Sequence, residues 1–522
     1  MKKIITLSLS LAAIMLSTMT MAEESWTQKY DGLIDGSINR QIYQSIYSNQ
    51  ASMLSSWEGK DYSFINAGYT FNEGEYYQPQ LFSSVKGLSI TTESIYTMPE
   101  KGWSFYGQVA YHNSERVAGE WNLECELPTN GSPFYYMVEK SGWWKTQTYD
   151  FDVAAAKQLN DKISLGIGLL YSGDMYYRMA DTRNKNTNLE IEITPSISYK
   201  VSDKHTLGAG VLFDRKKNEQ YIYNKYSHGT DGGYYITYIN QGLGSWYKDS
   251  DNSQRNQIEL IYGGTLSWNY RSDKDFVDVI YTAQYGREDW RYNYYSQNST
   301  DGSSIVYYTH MDHQLSARYQ HSSSYGRWVG ILDAEMITGL GYIYSDASAS
   351  YIQNYSTTLI NADLSAQLLL NNKYVRRVEL GASLSSADQL DNTYAHSVAY
   401  SNVLANVDVD FGVYNRGDIE FVFGVQGLYN MNLFADHNAM AATDNMYTTN
   451  ILVPTLAYLT SSYCGAGAKI GVAFGVGSFG RARIDLSGQM VKPMAYNLYE
   501  SSATFSLDDT YLNTDVVMSL YF

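Results

Sequence analysis

The sequence lacks the long apolar segments with which helices cross a membrane. A membrane-spanning helix needs about 20 consecutive apolar residues, whereas the one apolar run of note, residues 4–16, is shorter and lies at the extreme N-terminus. Charged residues make up only 17% of the chain, against about 25% in an average soluble domain. Together these deficits exclude a helical membrane protein and argue against a series of ordinary soluble domains.

Basic residues and cysteines are also few. The formal net charge is -17, so the chain lacks the basic surface that nucleic-acid binding requires, and no nucleic-acid partner is expected. The two cysteines, Cys125 and Cys464, are predicted to be unpaired, because the strand pattern places the first in a loop and the second on an outward face. No metal site and no cofactor are predicted.

What the chain does contain is tyrosine, at 51 residues, and glycine, at 41. Its N-terminus has the features of a signal peptide, with Lys2 and Lys3 before the apolar run and a small-x-Ala cleavage site at residues 20–22. We therefore expect residues 1–22 to be removed on export, so that the mature chain begins at Glu23.

Apolar and polar residues alternate with a period of two through most of the chain, which is typical of strands with one apolar face. In one run the alternation sets Ile360, Ala362, Leu364, Ala366 and Leu368 against Asn361, Asp363, Ser365 and Gln367. Many runs exceed the about 5 to 6 residues usual in the strands of a soluble sandwich. Their length instead suits tilted strands that cross a membrane.

Short turns alternate with longer connections along the chain. Short turns are predicted at residues 99–102, 158–161, 202–203, 272–273, 371–372, 414–417 and 475–478, and long Tyr-rich loops at 117–142, 173–187, 218–253, 288–303 and 433–450. In outer-membrane barrels short turns face the periplasm and long loops face outward. The pattern predicts an all-β fold, a transmembrane antiparallel up-and-down β-barrel over residues 61–522, with about 18 strands in a range of 14 to 20. This count requires residues 447–474 to form one long strand.

The C-terminus carries the most specific signal. Val516, Met518, Leu520 and the terminal Phe522 share one face of the last strand. This pattern resembles the C-terminal signature that the barrel-assembly machinery of Gram-negative outer membranes reads. The expected partners are therefore that machinery and outer-membrane lipid, and the expected location is the cell outer membrane.

Residues 23–60 precede the first predicted strand. Ile34, Ile38, Ile42 and Ile46 recur every four residues, so a short amphipathic helix is possible. Two interpretations stay open: a periplasmic N-terminal segment, or a small plug that enters the lumen.

Three stretches resemble a known family: residues 131–135 (GSPFY), 165–171 (LGIGLLY) and 180–186 (ADTRNKN). The family is an outer-membrane β-barrel family classed as a domain of unknown function, of about this length. The resemblance implies the barrel fold and the outer-membrane location, and it implies no activity.

Inward-facing charges suggest a function. On the predicted strand phase the lumen is acidic on balance, which favours a porin-like channel or solute-transport component for a small solute or cation. Asp408, Asp410, Asp418 and Glu420 flank one short turn, so we expect four carboxylates at the periplasmic mouth, in a wet, cation-attracting vestibule.

Three other functions are considered. The first is a binding or assembly-partner barrel that acts through Tyr-rich extracellular loops. The second is a transporter of hydrophobic substrates, which requires an apolar lumen pocket. The third is an outer-membrane enzyme centred on His310 and Asp312, which share an inward face. No serine with suitable spacing accompanies that pair, so the chain is predicted not to be an enzyme and to have no catalytic residues.

Overall fold

Alternating apolar and polar residues build one closed sheet of 18 antiparallel strands, which confirms the predicted barrel. In chain order the strands are β1 (Tyr62–Gly74), β2 (Ser84–Met98), β3 (Trp103–Val117), β4 (Tyr135–Val138), β5 (Trp143–Gln158), β6 (Ile163–Arg178), β7 (Arg183–Lys200), β8 (His205–Tyr223), β9 (Thr237–Asn240), β10 (Trp246–Asp249), β11 (Gln254–Arg271), β12 (Asp275–Tyr292), β13 (Ser304–Ser323), β14 (Gly326–Ser345), β15 (Ser350–Leu370), β16 (Val375–Asp391), β17 (His396–Arg416), β18 (Ile419–Ala439), β19 (Ser462–Gly475), β20 (Arg481–Ala495) and β21 (Tyr511–Tyr521). Strands β4, β9 and β10 form a separate three-stranded sheet.

The structure, a computed structural model, describes residues 50–56, 61–117, 119–225, 237–249, 254–292, 304–345, 347–370, 374–416, 419–439, 446–477, 480–497 and 502–522. These residues fall within one compact unit, Gln41–Phe522. The helical segments among the described residues are two 3-10 helices (Ala51–Ser56 and Pro99–Lys101), a π-helical turn (Thr448–Leu452) and α1 (Val453–Leu459).

The barrel closes where the last strand meets the first. β21 pairs with β1 from Tyr521 opposite Phe64 to Tyr511 opposite Gly74. The backbone N–H groups of Ser63 and Phe522 each donate to the other residue's carbonyl oxygen, both at 3.0 Å. A closed sheet leaves no free edge, so the backbone groups that face lipid are satisfied within the barrel.

Large apolar side chains cover the outside of the barrel. Leu266 and Leu364 are 63% and 57% exposed on this surface. Trp103, Trp268 and Trp328 also point outward, and each lies close to the short-turn end of its strand. An apolar belt with an aromatic rim is the surface that an outer-membrane lipid bilayer requires. The protein is therefore an integral outer-membrane β-barrel.

Two predicted connections are wrong. The long loop predicted at residues 173–187 is mostly strand, because β6 continues to Arg178 and β7 begins at Arg183. The single strand predicted at residues 447–474 is a helical segment followed by β19. Helical geometry lets Ile451, Leu452 and Leu456 bury their side chains together. In the described part of the chain, no helix is long and apolar enough to span a membrane.

The lipid belt can be tested at two adjacent positions of β15. Leu364→Arg places a charge in lipid and is expected to lower the free energy of unfolding by about 2–4 kcal/mol if it lies near the bilayer midplane. Asp363 faces the lumen and is exposed there, so Asp363→Arg is the matched control and is expected to cost much less. Denaturant unfolding in lipid vesicles measures both, and equal losses would contradict the assignment of faces.

Candidate functional site

The extracellular half of the lumen is filled by the protein's own loops. The sheet of β4, β9 and β10 and the helical segment 448–459 enter the barrel, and we call this assembly the cap. Its core joins loop side chains to inward-pointing side chains of the wall. The buried loop members are Trp121, Leu123, Phe134, Tyr135, Tyr136, Met137, Val138, Ile239, Leu243, Tyr447, Ile451, Leu452 and Leu456, and the buried wall members are Ile222, Trp290, Val306, Tyr308, Tyr355 and Val398.

Part of the Tyr-rich loop between β8 and β11 belongs to the cap. Tyr238 packs against the cap core, whereas Trp246 and Tyr247 on β10 are partly exposed. The other tyrosines of the predicted loop either lie on β8 or fall outside the described residues. A transporter of apolar substrates requires an open hydrophobic pocket. The cap does not provide one, because the apolar side chains of the cap are packed against one another.

A buried carboxylate fastens the cap to the wall. Glu124 accepts hydrogen bonds from the Nε2 atom of Gln220 on β8, at 2.6 Å, and from the backbone N–H of Tyr136 on β4, at 2.8 Å. Burial disfavours the charged form of this side chain and raises its pKa from 4.5 to about 7. Glu124 therefore changes charge near neutral pH at a contact between loop and barrel.

The tip of the loop between β3 and β4 reaches an acidic part of the wall. Asn130 donates from Nδ2 to Glu259 at 3.1 Å and to Glu288 at 3.4 Å. The hydroxyl of Tyr308 donates to the carbonyl oxygen of Asn130 at 2.9 Å. Gly131 adopts a left-handed φ of +80, where an added Cβ would lie 2.9 Å from Thr357. The tip is therefore held by polar contacts and by close packing.

Glu259, which accepts the hydrogen bond from Asn130, is also the partner of His310. The Nε2 atom of His310 lies 2.8 Å from Glu259 Oε1, and the His310 side chain is only 4% exposed. Asp312 instead accepts hydrogen bonds from Gln284 and Gln314. The two residues proposed as an enzyme centre thus have different partners. Among the described residues, no three His, Cys, Asp or Glu side chains are grouped to hold a metal ion.

The acidic cluster expected at the periplasmic mouth is paired with cations. Arg377 contacts Asp408 and Asp410, each at 3.1 Å, and Lys469 lies 2.9 Å from Asp410. Glu420 lies 3.0 Å from Arg481. The fourth predicted member, Asp418, lies outside the described residues. The three described carboxylates therefore have cationic side-chain partners, and the cation-attracting vestibule stays a prediction.

These pairs belong to a larger band around the periplasmic ends of β16 to β20. We define the ion-pair band as the carboxylates of Glu379, Asp408, Asp410, Glu420 and Asp485 with the cationic groups of Arg376, Arg377, Lys469, Arg481 and Arg483. Opposite charges are equal in number within it. The band ties neighbouring strands together and does not create a net negative potential.

A polar cavity of about 310 Å³ lies on the extracellular side of this band, between β17 and β21. Asp408, Gln426, Lys469, Gln489, Asn513 and Asp515 are among its lining residues. Gln426 lies across Gly467, where an added Cβ would be 2.5 Å from its Nε2 atom. The cavity is therefore lined mainly by groups that donate and accept hydrogen bonds.

An aromatic cluster lies near the extracellular ends of β1 and β19. Tyr76 lies between Tyr458 and Phe505, with ring centroids 4.9 Å from each, and its centroid is 5.8 Å from that of Tyr463 on β19. The hydroxyl groups of Tyr76 and Ser461 are 2.8 Å apart. We call these four aromatic residues the aromatic lid.

Near the periplasmic ends of β5 to β8, the segment just before the barrel lies against the inner wall. The backbone N–H of Ser52 donates to Ser196 Oγ at 2.9 Å, and Thr265 Oγ1 donates to Gln50 at 2.6 Å. The close approach requires a glycine at position 166, where an added Cβ would lie 2.1 Å from the nitrogen of Ser52. Gln50 and Ser52 thus lie inside the barrel.

The signal for this docking is visible in the sequence but was missed. Small residues recur on the inward faces of neighbouring strands at the same level: Ala154, Ala156, Gly166, Ser196, Ser198, Gly208 and Gly210. Small side chains leave room for a second layer of backbone. Asp214 and Glu259 were also missed, although alternation from Val211 and Phe213 already places Asp214 inside.

The predicted C-terminal residues lie where expected on the outer face. Val516 and Met518 are 42% and 50% exposed toward lipid. Their recognition by the assembly machinery stays a prediction. Cys125 and Cys464 are both free thiols, as predicted.

The fold and site define an integral outer-membrane barrel whose lumen is occupied by its own loops. Residues 51–519 match the model described as "Family of unknown function (DUF6850)", and the chain belongs to that family. The comparison with curated proteins found no match.

Several solved outer-membrane proteins are similar to this chain at low identity. The open form of the ferric-catecholate import receptor Fiu from E. coli K12 has 10% identity and a TM-score of 0.37, covering 88% of this chain and 81% of that one. The RagAB peptide importer has 8% identity and a TM-score of 0.38, covering 89% and 87%. OccAB3 of Acinetobacter baumannii has 8% identity and a TM-score of 0.33, covering 89% and 100%. At this level of similarity these structures carry no argument about function.

Docking of the N-terminal segment can be tested with two glycines of β6. Gly166→Val should displace the segment, because its side chain would overlap the backbone of Ser52. Met53 is 4% exposed, so Met53→Cys, made with Cys125 and Cys464 replaced by serine, should react with a maleimide at least tenfold faster after displacement. Gly173→Val is the control, because the nearest atom to an added Cβ is 3.4 Å away. Equal labelling of the two variants would contradict the docking.

Glu124 predicts a pH-dependent cap. Because its pKa is raised on folding from 4.5 to about 7, its contribution to cap stability is complete below pH 4.5 and is lost as pH rises through about 7. Amide exchange of β4, corrected for intrinsic rates, should therefore quicken between pH 5 and pH 8. Glu124→Gln should flatten this profile, and an unchanged profile in that variant would assign the effect to another group.

Proposed function

We propose that the protein is a gated outer-membrane transport barrel that passes small hydrophilic solutes and is closed at rest by its own loops. The observation that carries this proposal is the polar cavity of about 310 Å³ on the inner side of the barrel, between β17 and β21. The aromatic lid lies toward its extracellular side, and the ion-pair band lies toward the periplasm. A barrel that served only as a membrane anchor would gain nothing from such a cavity.

The route that we propose runs along β17 to β21. On the opposite side of the lumen, the loop tip at Asn130 fills the space beside Glu259 and Glu288. The docked residues Gln50 and Ser52 lie against the inner face of the wall, nearer the periplasm. None of the described residues of these two insertions lines the polar cavity between β17 and β21, which leaves room there for a solute.

We propose that the acidic part of the lumen lies on β7 and β8 and not at the periplasmic mouth. The ion-pair band is balanced, whereas on β7 and β8 the carboxylates of Glu190 and Asp214 share one ammonium group, that of Lys216, at 3.2 and 3.7 Å. The surplus of carboxylates thus lies on the wall near these strands, opposite the proposed route.

The N-terminal region fits the same proposal. We propose that residues 1–22 are removed as a signal peptide and that residues 23–60 act as a small plug, as the docked residues Gln50 and Ser52 suggest. We also propose that the barrel-assembly machinery inserts the protein into the outer membrane and recognises the C-terminal strand.

Gating by the cap predicts the electrical behaviour of the protein. Phe134 and Tyr136 are fully buried in the cap core, and truncation of such a side chain costs about 3–5 kcal/mol. The double variant Phe134→Ala/Tyr136→Ala should therefore raise the open probability in planar bilayers at least tenfold over the full-length protein. The barrel should survive, because neither residue belongs to its strands.

The control for this experiment is Tyr325→Ala, since Tyr325 is 83% exposed in a periplasmic turn. It should conduct like the unmodified protein. A parent protein that is already fully open would contradict gating by the cap, and the absence of conductance in every variant would contradict the transport function itself.

A further inference from the structure

We propose that the cavity between β17 and β21 recognises small solutes that carry an ammonium group together with hydroxyl or amide groups, and that Asp515 is the anionic anchor of this site. The inference rests on the proposed transport function and names the class of solute that it serves. It follows from the pairing of the charged groups, the chemistry of the lining and the size of the space.

The charged groups of the cavity are not equally compensated. Asp408 pairs with Arg377 at 3.1 Å, and Lys469 pairs with Asp410 at 2.9 Å. Asp515 differs from both: it accepts a hydrogen bond from the hydroxyl of Thr70 on β1, at 2.6 Å. Among the residues that the structure describes, no lysine or arginine forms an ion pair with Asp515.

An uncompensated carboxylate in a narrow space attracts a cation more strongly than one in bulk water, because the surroundings screen its charge less. The Thr70 hydroxyl fixes one carboxylate oxygen and leaves the other available to a ligand. A hydrogen-bonded ammonium group is the partner that satisfies both its charge and its acceptor positions. Asp408 and Lys469 are each offset by an ion-pair partner, so an anionic solute would face the uncompensated charge of Asp515 and would be repelled.

The rest of the lining suits an uncharged polar body. Gln426, Gln489 and Asn513 each offer both a donor and an acceptor, which matches hydroxyl groups and amides of a solute. The register places Gln489 opposite Asn513 and Ser487 opposite Asp515, so the amides adjoin the carboxylate. One solute can therefore contact both kinds of group.

The volume limits the size of the solute. At about 310 Å³ the cavity lies at the lower end of the roughly 300–1,000 Å³ usual for small-molecule sites. This space suits a single sugar ring or a short amine-bearing molecule rather than a long chain. An amino sugar combines the required charge, hydroxyl groups and size, and it serves as a convenient probe.

Swelling of proteoliposomes tests the inference with three sugars of similar size and different charge: glucosamine, glucose and glucuronate. The full-length protein and its Phe134→Ala/Tyr136→Ala variant would be used, at a pH where the amine is protonated. Glucosamine should permeate at least threefold faster than glucose, and glucuronate should be slowest. This ranking in the parent protein is already a test, whatever happens to further variants.

The variant Asp515→Asn then tests whether the preference for glucosamine over glucose depends on the carboxylate of Asp515. This nearly isosteric change should bring the glucosamine-to-glucose ratio close to one. Asp388→Asn is the matched control, because Asp388 is exposed on the outer side of β16, and it should keep the ratio of the parent. A parent ratio of one, or a ratio that survives Asp515→Asn, would overturn the inference while transport stands. If no sugar enters, the transport function fails instead.

Discussion

The closure of the sheet by β1 and β21 is the constraint on which the rest of the structure depends. Lipid offers no partner to a backbone N–H or carbonyl group, so the strands that cross it must complete one another's hydrogen bonds in a ring. Once the ring is closed, the faces of every strand are fixed, because neighbouring residues point to opposite sides. Leu364 must meet lipid and Asp363 must meet the lumen. Closure also sets the width, and a ring of 18 strands encloses more space than wall side chains alone can fill.

The protein fills this space with two insertions of different chemistry. Toward the outside, the wall presents aromatic side chains such as Trp290 and Tyr355, and the loops bring an apolar core to meet them. Toward the periplasm, the wall presents small residues such as Gly166, and a stretch of backbone approaches closely enough to donate from Ser52 to Ser196. Large inward-facing residues thus pack against loop side chains, and small inward-facing residues leave room for a stretch of backbone. In the described part of the chain, neither insertion contributes a lining residue to the cavity between β17 and β21, so a polar space persists there.

Much of the fold could be predicted from the sequence because lipid imposes a local rule on every strand. Alternation predicts about 18 strands, within a range of 14 to 20, and the outward faces of Val516 and Met518. The helical segment was not predicted, because Ile451, Leu452 and Leu456 contact loops that are distant in sequence. The residues next to them in the chain do not indicate this buried environment. The pairing of Asp410 was missed for a related reason. Its partners Arg377 and Lys469 lie on strands before and after it, and only the register between strands brings them together. Properties of one strand were predictable, and properties of contacts between distant segments were not.

The same division bears on how such a barrel can open. The wall cannot widen without breaking inter-strand hydrogen bonds, and on the proposed route the ion-pair band further ties β16 to β20. The cap, by contrast, is joined to the wall by side chains, as at Glu124 and Asn130, so its displacement leaves the backbone ladder of the barrel intact. Movement should therefore be confined to the loops. A rigid polar cavity beneath a movable apolar cap separates two tasks: the wall selects the solute by its charge and hydrogen-bonding groups, while the loops decide when it enters.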